Sequence, residues 1–291
     1  MQPRPWTTLV DAESLAHALG LRGGALPDRN LVVLDARHAL KDPGWGQKQW
    51  EAGHIPRAQH AHLDAELSAR PSSRTGRHPI PDVDAFIDCC SRWGIDESVQ
   101  VVAYDDAGGI WASRAWWLLR YYGHSAVAVL DGGIQAWQKA GLPLTADRTA
   151  LPRRAFHGRP GAMPTVTTWD LTMRAPRCLV DARAPPRYRG DEEPIDPIAG
   201  HIPGAQNMPT SANLDAELRF LKRDELRRKY DATLAGVLPR DTAFYCGSGV
   251  TATHDILAMH VAGLPGAALY PGSWSEWIRD PLRPIMRGGD A

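Results

Sequence analysis

Thr242-Ala-Phe-Tyr-Cys246-Gly-Ser-Gly-Val-Thr-Ala-Thr253 runs from an apolar stretch through a cysteine and two glycines into a helical pattern. Such a run reads as a strand, a tight loop and a helix N-terminus, with a thiol at the strand's end. In a loop of this kind the amides of Gly247, Ser248, Gly249, Val250 and Thr251 can converge on the sulfur. Gly247 and Gly249 supply the unusual φ angles and close approach that an amide cradle requires. The positive end of the following helix favours an anion at the same place. A thiol so placed is a ready nucleophile. A buried structural cysteine is the other reading of an isolated Cys; the glycine spacing favours the nucleophile.

Loop size decides what the thiol does. A cysteine phosphatase needs room for a tetrahedral phosphate and an arginine six residues after the cysteine, where this chain has Ala252. No cation lies between Cys246 and Thr253, so the loop suits one extra sulfur atom better than a phosphoryl group. The segment Cys246-Gly-Ser-Gly-Val-Thr-Ala252 resembles the active loop of the rhodanese-type sulfurtransferases, above all their mercaptopyruvate branch. The thiosulfate branch usually carries two cations after its cysteine, and this loop carries none.

Three motifs occur twice, in one order and at nearly one spacing. Val33-Leu-Asp-Ala-Arg37 returns as Leu179-Val-Asp-Ala-Arg183, Gly53-His-Ile-Pro56 as Gly200-His-Ile-Pro203, and Asp131-Gly-Gly-Ile-Gln-Ala-Trp137 as Pro271-Gly-Ser-Trp-Ser-Glu-Trp277. Two copies of this length mean tandem domains rather than a stacked solenoid, and 291 residues accommodate two domains. Short apolar runs at Leu31–Ala36, Val99–Tyr104 and Ala126–Leu130 are matched by Cys178–Asp181, Ala243–Tyr245 and Ala267–Tyr270. Helical patterns lie between them, at Ala112–Tyr122, Asp224–Lys229 and Thr253–Ala262, with Asp11 and Ser14 as start signals for another. The expected fold is α/β, a tandem of two rhodanese-like domains, each a mostly parallel sheet flanked by helices. The expected boundaries are a catalytically silent domain over 1–145, a linker over 146–163 and a catalytic domain over 164–291.

The silent copy is identified by alignment. Setting Val101–Tyr104 against Ala243–Tyr245 puts Asp105 opposite Cys246, and a carboxylate cannot carry a persulfide. Cys246 sits beyond the carboxyl end of its strand, where open α/β sheets bind ligands. His54 and His201 occur in both copies, including the silent one, and read as structural.

Composition sets outer limits. With 43% hydrophobic and 23% charged residues the chain is an ordinary globular one. Its 33 Lys and Arg balance 33 Asp and Glu, which leaves no broad attraction to nucleic acid or an anionic membrane. No apolar run approaches a membrane span, and Met1–Pro5 does not begin a secretory signal pattern. Cys89, Cys90, Cys178 and Cys246 show no metal-ligand spacing; Cys89 and Cys90 sit in an amphipathic run at Val83–Trp93 and read as core. A reducing, cytoplasmic setting is expected.

The resemblance implies further site residues. Ser248 would hydrogen-bond a donor carbonyl or bound sulfur, or alternatively cap the next helix. Asp64 and His78 match, by local context, a pair that works with the loop serine as a proton relay. Arg187 matches the arginine that contacts the donor's charged end, with Gly247, Gly249, Val250 and Thr251 completing the binding loop. A second family arginine is missing, since Ile195 stands near its place; Arg189 nearby reads either as its replacement or as an exposed surface arginine. The implied activity moves sulfane sulfur from 3-mercaptopyruvate, with thiosulfate as secondary donor, to a thiol (thioredoxin among them) or cyanide through a Cys246 persulfide. Thiosulfate:cyanide transfer as the main activity and a non-catalytic persulfide carrier stay open as alternatives. The expected partners are a small anionic donor and such an acceptor, with neither nucleic acid nor membrane, and the implied chemistry needs no cofactor or metal.

Overall fold

Parallel strands are covered by helices on both faces, so their sequences are continuous apolar runs rather than alternating ones. The computed structural model describes residues 5–23 and 26–289; residues 1–4 and 290–291, the ends of the two expected domains, lie outside it. Two compact units result. The first holds a five-stranded sheet of β1 (Leu9–Val10), β2 (Leu31–Asp35), β3 (Ala58–His60), β4 (Gln100–Tyr104) and β5 (Val127–Leu130). Its order is β1-β5-β4-β2-β3, and every pairing is parallel. The second holds β6 (Cys178–Asp181), β7 (Ala205–Asn207), β8 (Thr242–Tyr245) and β9 (Ala268–Leu269) in the order β7-β6-β8-β9, again all parallel. A parallel bridge from Thr165 to Leu269 stands where β1 pairs with β5 in the first sheet.

The helices follow the sequence signals. Asp11 caps Ala12–Ala18 through the amide of Ser14, at 2.8 Å. Cys89 and Cys90 lie on the buried face of the helix Val83–Arg92. The helix Ala252–Val261 starts directly after the cysteine loop that follows β8. β4 in the first unit and β8 in the second each lie between two paired neighbours, so Asp105 and Cys246 both leave the sheet at an interior strand's carboxyl end.

The units do not follow the expected boundaries. Residues 69–80 belong to the second unit and residues 216–220 to the first, while the expected linker stays with the first unit as far as Ala162. Hydrogen bonds explain each allegiance. The amide of Arg77 donates to Ser275 Oγ at 3.1 Å, and Arg279 Nε donates to the Thr75 carbonyl. The amide of Phe220 donates to Asp131 Oδ1 at 2.9 Å. Linker amides of Arg159 and Ala162 donate to the carbonyls of Tyr122 and Tyr121.

The repeated motifs are one clasp built twice. In Val-Leu-Asp-Ala-Arg the acid at the end of β2 holds Arg37 two residues on, with Arg37 Nη2 donating to Asp35 Oδ2 at 2.6 Å and to the Gly53 carbonyl at 2.8 Å. In the second unit Arg183 Nη2 donates to Asp181 Oδ2 at 2.6 Å and to the Gly200 carbonyl at 2.7 Å. That tie explains the Gly-His-Ile-Pro repeat. The following isoleucine amide donates to a strand-end tyrosine, Ile55 to Tyr104 Oη at 3.2 Å and Ile202 to Tyr245 Oη at 3.1 Å. His54 stacks on Trp50 and bonds its carbonyl, and His201 stacks on Tyr188 and bonds its carbonyl, so both histidines are packing residues. The third motif also has one job in each copy: Trp137 Nε1 donates to the Pro143 carbonyl and Trp277 Nε1 to the Pro284 carbonyl, each at 2.9 Å.

Asp181 and Arg183 are both buried, and removing one partner of a buried pair leaves an uncompensated charge. Asp181→Asn should therefore lower the unfolding free energy by about 3–5 kcal/mol in chemical denaturation. A loss below roughly 1 kcal/mol, the range of an exposed pair, would show that the clasp is not structural.

Candidate active site

The loop after β8 is organised around the Cys246 sulfur. Cys246 is buried, and the amide of Gly249 donates to Sγ at 3.2 Å. Gly249 has φ +78°, and a Cβ there would lie 2.4 Å from the Pro271 carbonyl oxygen, so only glycine fits this turn. Gly247 plays a different part from the expected one. Its φ is not left-handed; instead a Cβ there would meet Arg77 Nη2 at 2.9 Å and Arg187 Nη2 at 3.4 Å. Two guanidinium groups press against the residue after the thiol, and any side chain there would have to displace their flexible ends. Val250 is buried and its carbonyl accepts from Thr253 Oγ1 at 2.7 Å, while Thr251 precedes the first residue of the helix Ala252–Val261.

The cysteine backbone is pinned by the third repeated motif. Ser273 Oγ accepts from the Cys246 amide at 3.1 Å and donates to the Tyr270 carbonyl at 2.9 Å. The Trp274 amide donates to the Cys246 carbonyl at 2.9 Å. Ser273 adopts φ +54°, which costs a non-glycine residue about 1–2 kcal/mol. The first copy has Gly133 there, at φ +57°. A serine standing at a glycine position of the repeat is the signal by which the sequence could have revealed it.

Ser248 does not cap the helix. Its Oγ lies 2.8 Å from His78 Nδ1, and both side chains are buried. His78 reaches it from residues 69–80, inside the second unit. The same segment brings Arg77, which sequence reading had passed over. Asp64 belongs to the first unit, in a turn where its amide donates to His62 Nδ1 at 3.1 Å.

Around the loop stands a network of arginines and acids. Arg187 Nη2 donates to Glu193 Oε1 at 2.7 Å and to Asp196 Oδ2 at 3.2 Å, and Arg77 Nη1 donates to Asp196 Oδ1. Glu193 also meets Arg183 Nη1 at 3.3 Å, which joins this network to the strand clasp. Burial pushes the Asp196 carboxyl up, against the opposing pull of Arg77 and Arg187. Glu193, less deeply placed and held by Arg187 and two amides, is lowered despite its burial. Arg189 is not the replacement cation: it is half exposed and pairs with Asp191 at 2.7 Å. Ile195 is exposed, and its amide donates to Glu193 Oε1.

The silent loop is closed by an anion of its own. Asp105 is fully buried and accepts four amides, from Ala107, Gly109, Trp111 and Ala112, at 2.7–2.9 Å. Burial raises its carboxyl, and the four amides oppose the rise. The loop design gathers amides around one negative centre, and in the first unit that centre is part of the chain.

A model of the rhodanese-like domain matches residues 24–140 and again 168–280. A "probable 3-mercaptopyruvate sulfurtransferase" from Pseudomonas aeruginosa is 45% identical over 285 residues, covering 96% of this chain and 98% of its own. A thiosulfate sulfurtransferase from Gallus gallus is 32% identical over 276 residues, with 93% of each chain covered. Among solved structures, a 3-mercaptopyruvate sulfurtransferase from Leishmania major superposes with a TM-score of 0.83 at 29% identity, covering 97% of this chain and 78% of that one.

Beneath the loop, Asp255 is wholly buried on the helix that begins at Ala252. Its Oδ1 accepts from Asn213 Nδ2 at 2.5 Å, and its Oδ2 has no hydrogen bond among the described residues. Burial pushes its carboxyl well above the usual range, and its electrostatic interaction with Cys246 adds to the rise. A carboxyl raised in the folded state is held protonated there while the unfolded chain releases its proton. Stability is thus lost as pH climbs from the unfolded value, near 3.9, toward the folded one. Asp255→Asn removes that loss, so its gain in Tm over wild type should be larger at pH 8 than at pH 5, on the order of a few degrees. A gain equal at both pH values, or confined to pH 5, would contradict the assignment.

Proposed function

The chain belongs to the rhodanese-like family, and from that premise we propose that it is a sulfurtransferase carrying sulfane sulfur on Cys246. The observation that carries this reading is the placement of Sγ against the Gly249 amide at 3.2 Å, with a helix N-terminus following and two guanidinium groups beside Gly247. The Cys246 thiolate attacks the sulfur of 3-mercaptopyruvate. The carbon–sulfur bond breaks, its electrons leave as the pyruvate enolate, and the sulfur stays as a Cys246 persulfide. A proton then converts the enolate to pyruvate, and Ser248 with His78 forms the path for it. The amides of Gly247, Gly249, Val250 and Thr251 stabilise negative charge on sulfur before and after transfer. An acceptor thiolate attacks the outer sulfur, leaves as a persulfide and returns Cys246 to the thiolate; cyanide leaves as thiocyanate.

Arg187 binds the donor's charged end through Nη1, the nitrogen that Glu193 and Asp196 leave unused. We read 3-mercaptopyruvate as the preferred donor because the loop between Cys246 and Thr253 holds no cation of its own to meet a doubly charged thiosulfate. Relatives named for either donor support a secondary thiosulfate activity. Thioredoxin is the protein thiol we propose as acceptor. All four cysteines are free, which supports a reducing, cytoplasmic location, and no helix among the described residues is long and apolar enough to cross a membrane.

Intact-mass measurement after donor treatment should show one added sulfur on the wild type and none on Cys246→Ser, with turnover abolished. A serine hydroxyl is not ionised at neutral pH and cannot hold sulfane sulfur. Sulfur retained by the variant would falsify the assignment of Cys246.

A further inference from the structure

We propose that Arg77 is a second donor-binding guanidinium, which grips the donor's anionic group together with Arg187 beside Gly247. The inference rests on the sulfurtransferase reading and deepens it. Arg77 Nη2 and Arg187 Nη2 and Nη1 would lie 2.9, 3.4 and 3.6 Å from a Cβ on Gly247, so both side chains end against the residue that follows the thiol. Their side chains are 28% and 17% exposed, open to a small solute yet largely withdrawn from water. Two cations so close would repel. Asp196, with its side chain 3% exposed, holds them together by giving one carboxylate oxygen to each.

The acids leave specific donors unused. Asp196 takes Nη1 of Arg77; Glu193 and Asp196 between them take Nε and Nη2 of Arg187. Arg77 Nη2 and Arg187 Nη1 have no acceptor among the described residues, and both lie at Gly247. A planar carboxylate, or a face of a thiosulfonate, can accept one N–H from each fork. The two acids offset the charge of the two arginines, so the anion is recognised by hydrogen-bond geometry rather than by a net positive patch.

The position of Arg77 is fixed from several sides. Its amide donates to Ser275 Oγ at 3.1 Å. Gly76 approaches so closely that a Cβ there would lie 2.4 Å from the Gly272 carbonyl. The next residue, His78, bonds Ser248. One dipeptide therefore brings an anion donor and a proton path to the same loop. It also supplies the cation that the sequence near Ile195 lacks, from 119 residues away along the chain.

The test compares wild type, Arg77→Lys and Arg77→Gln on 3-mercaptopyruvate and on its methyl ester, which keeps the thiol and ketone but carries no charge, with cyanide as acceptor. Arg77→Gln should raise KM for 3-mercaptopyruvate about tenfold to a hundredfold, with kcat changed far less. Arg77→Lys should fall between, and KM for the ester should be alike in all three proteins. An unchanged KM for the acid, or the same loss with the ester, overturns the proposal. Because Arg77→Gln leaves Asp196 without one partner, Arg77→Gln combined with Asp196→Asn is measured beside it. That pair, free of the unpaired acid, should keep the wild-type Tm and still lose the acid selectively; full activity on the acid in the pair overturns the proposal too. A wild type that transfers sulfur from no donor would instead refute the sulfurtransferase reading itself.

Discussion

The buried pair of Asp181 and Arg183 is the interaction on which the site depends. Arg183 ties the end of β6 to the Gly200 carbonyl at 2.7 Å, and burial with Asp181 beside it pushes the Tyr245 hydroxyl upward in pKa, so that hydroxyl stays protonated within the clasp. Tyr245 is the residue before Cys246, so the thiol's position along its strand is set by a hydrogen-bonded core rather than by the loop alone. Arg183 also lies over the ring of Trp274 at 4.8 Å, and the Trp274 amide holds the Cys246 carbonyl. From the same guanidinium the chain of charges runs outward through Glu193 to Arg187, Asp196 and Arg77. A network linked in this way positions its outer members through its inner ones, which is why its deletions should not add pairwise.

The two copies of the loop show one design used for opposite ends. Asp105 presents its own carboxyl to four amides, which leaves the first loop closed around an acceptor that is part of the chain. Cys246 presents a single sulfur to a loop with one short N–H contact and two guanidinium groups at its flank. The loss of a thiol alone would leave an idle anion site in the first unit. The aspartate fills it with a side chain of the chain itself.

Much of this was legible in the chain. The long apolar strands, the glycine turn at Gly249 and the place of Cys246 at a strand's end followed from local pattern, because a parallel strand and a left-handed turn leave marks within a few residues. The three-residue strands β3 and β7 leave none. Nor does residue order tell which core an irregular segment joins, and residues 69–80 carry no periodicity to decide it. Arg77 is invisible in the sequence for that reason, since it stands 119 residues before the Asp196 it meets in space. At Gly247 the close approach expected from the sequence is present, made by two arginines, and the unusual φ is not. Ser273 could have been found by setting it against Gly133, since a serine in a glycine's conformation signals a constraint.

The central claim is that sulfur passes through a covalent half-reaction at the thiol, with the donor's carbon skeleton leaving before any acceptor arrives. Rapid-quench measurement of pyruvate after mixing the enzyme with equimolar 3-mercaptopyruvate, so that no spare donor thiol can act as acceptor, tests it most directly. One equivalent of pyruvate per chain should appear in a single burst, before cyanide is added, and thiocyanate only after it. Pyruvate that appears only when the acceptor is present would contradict the account.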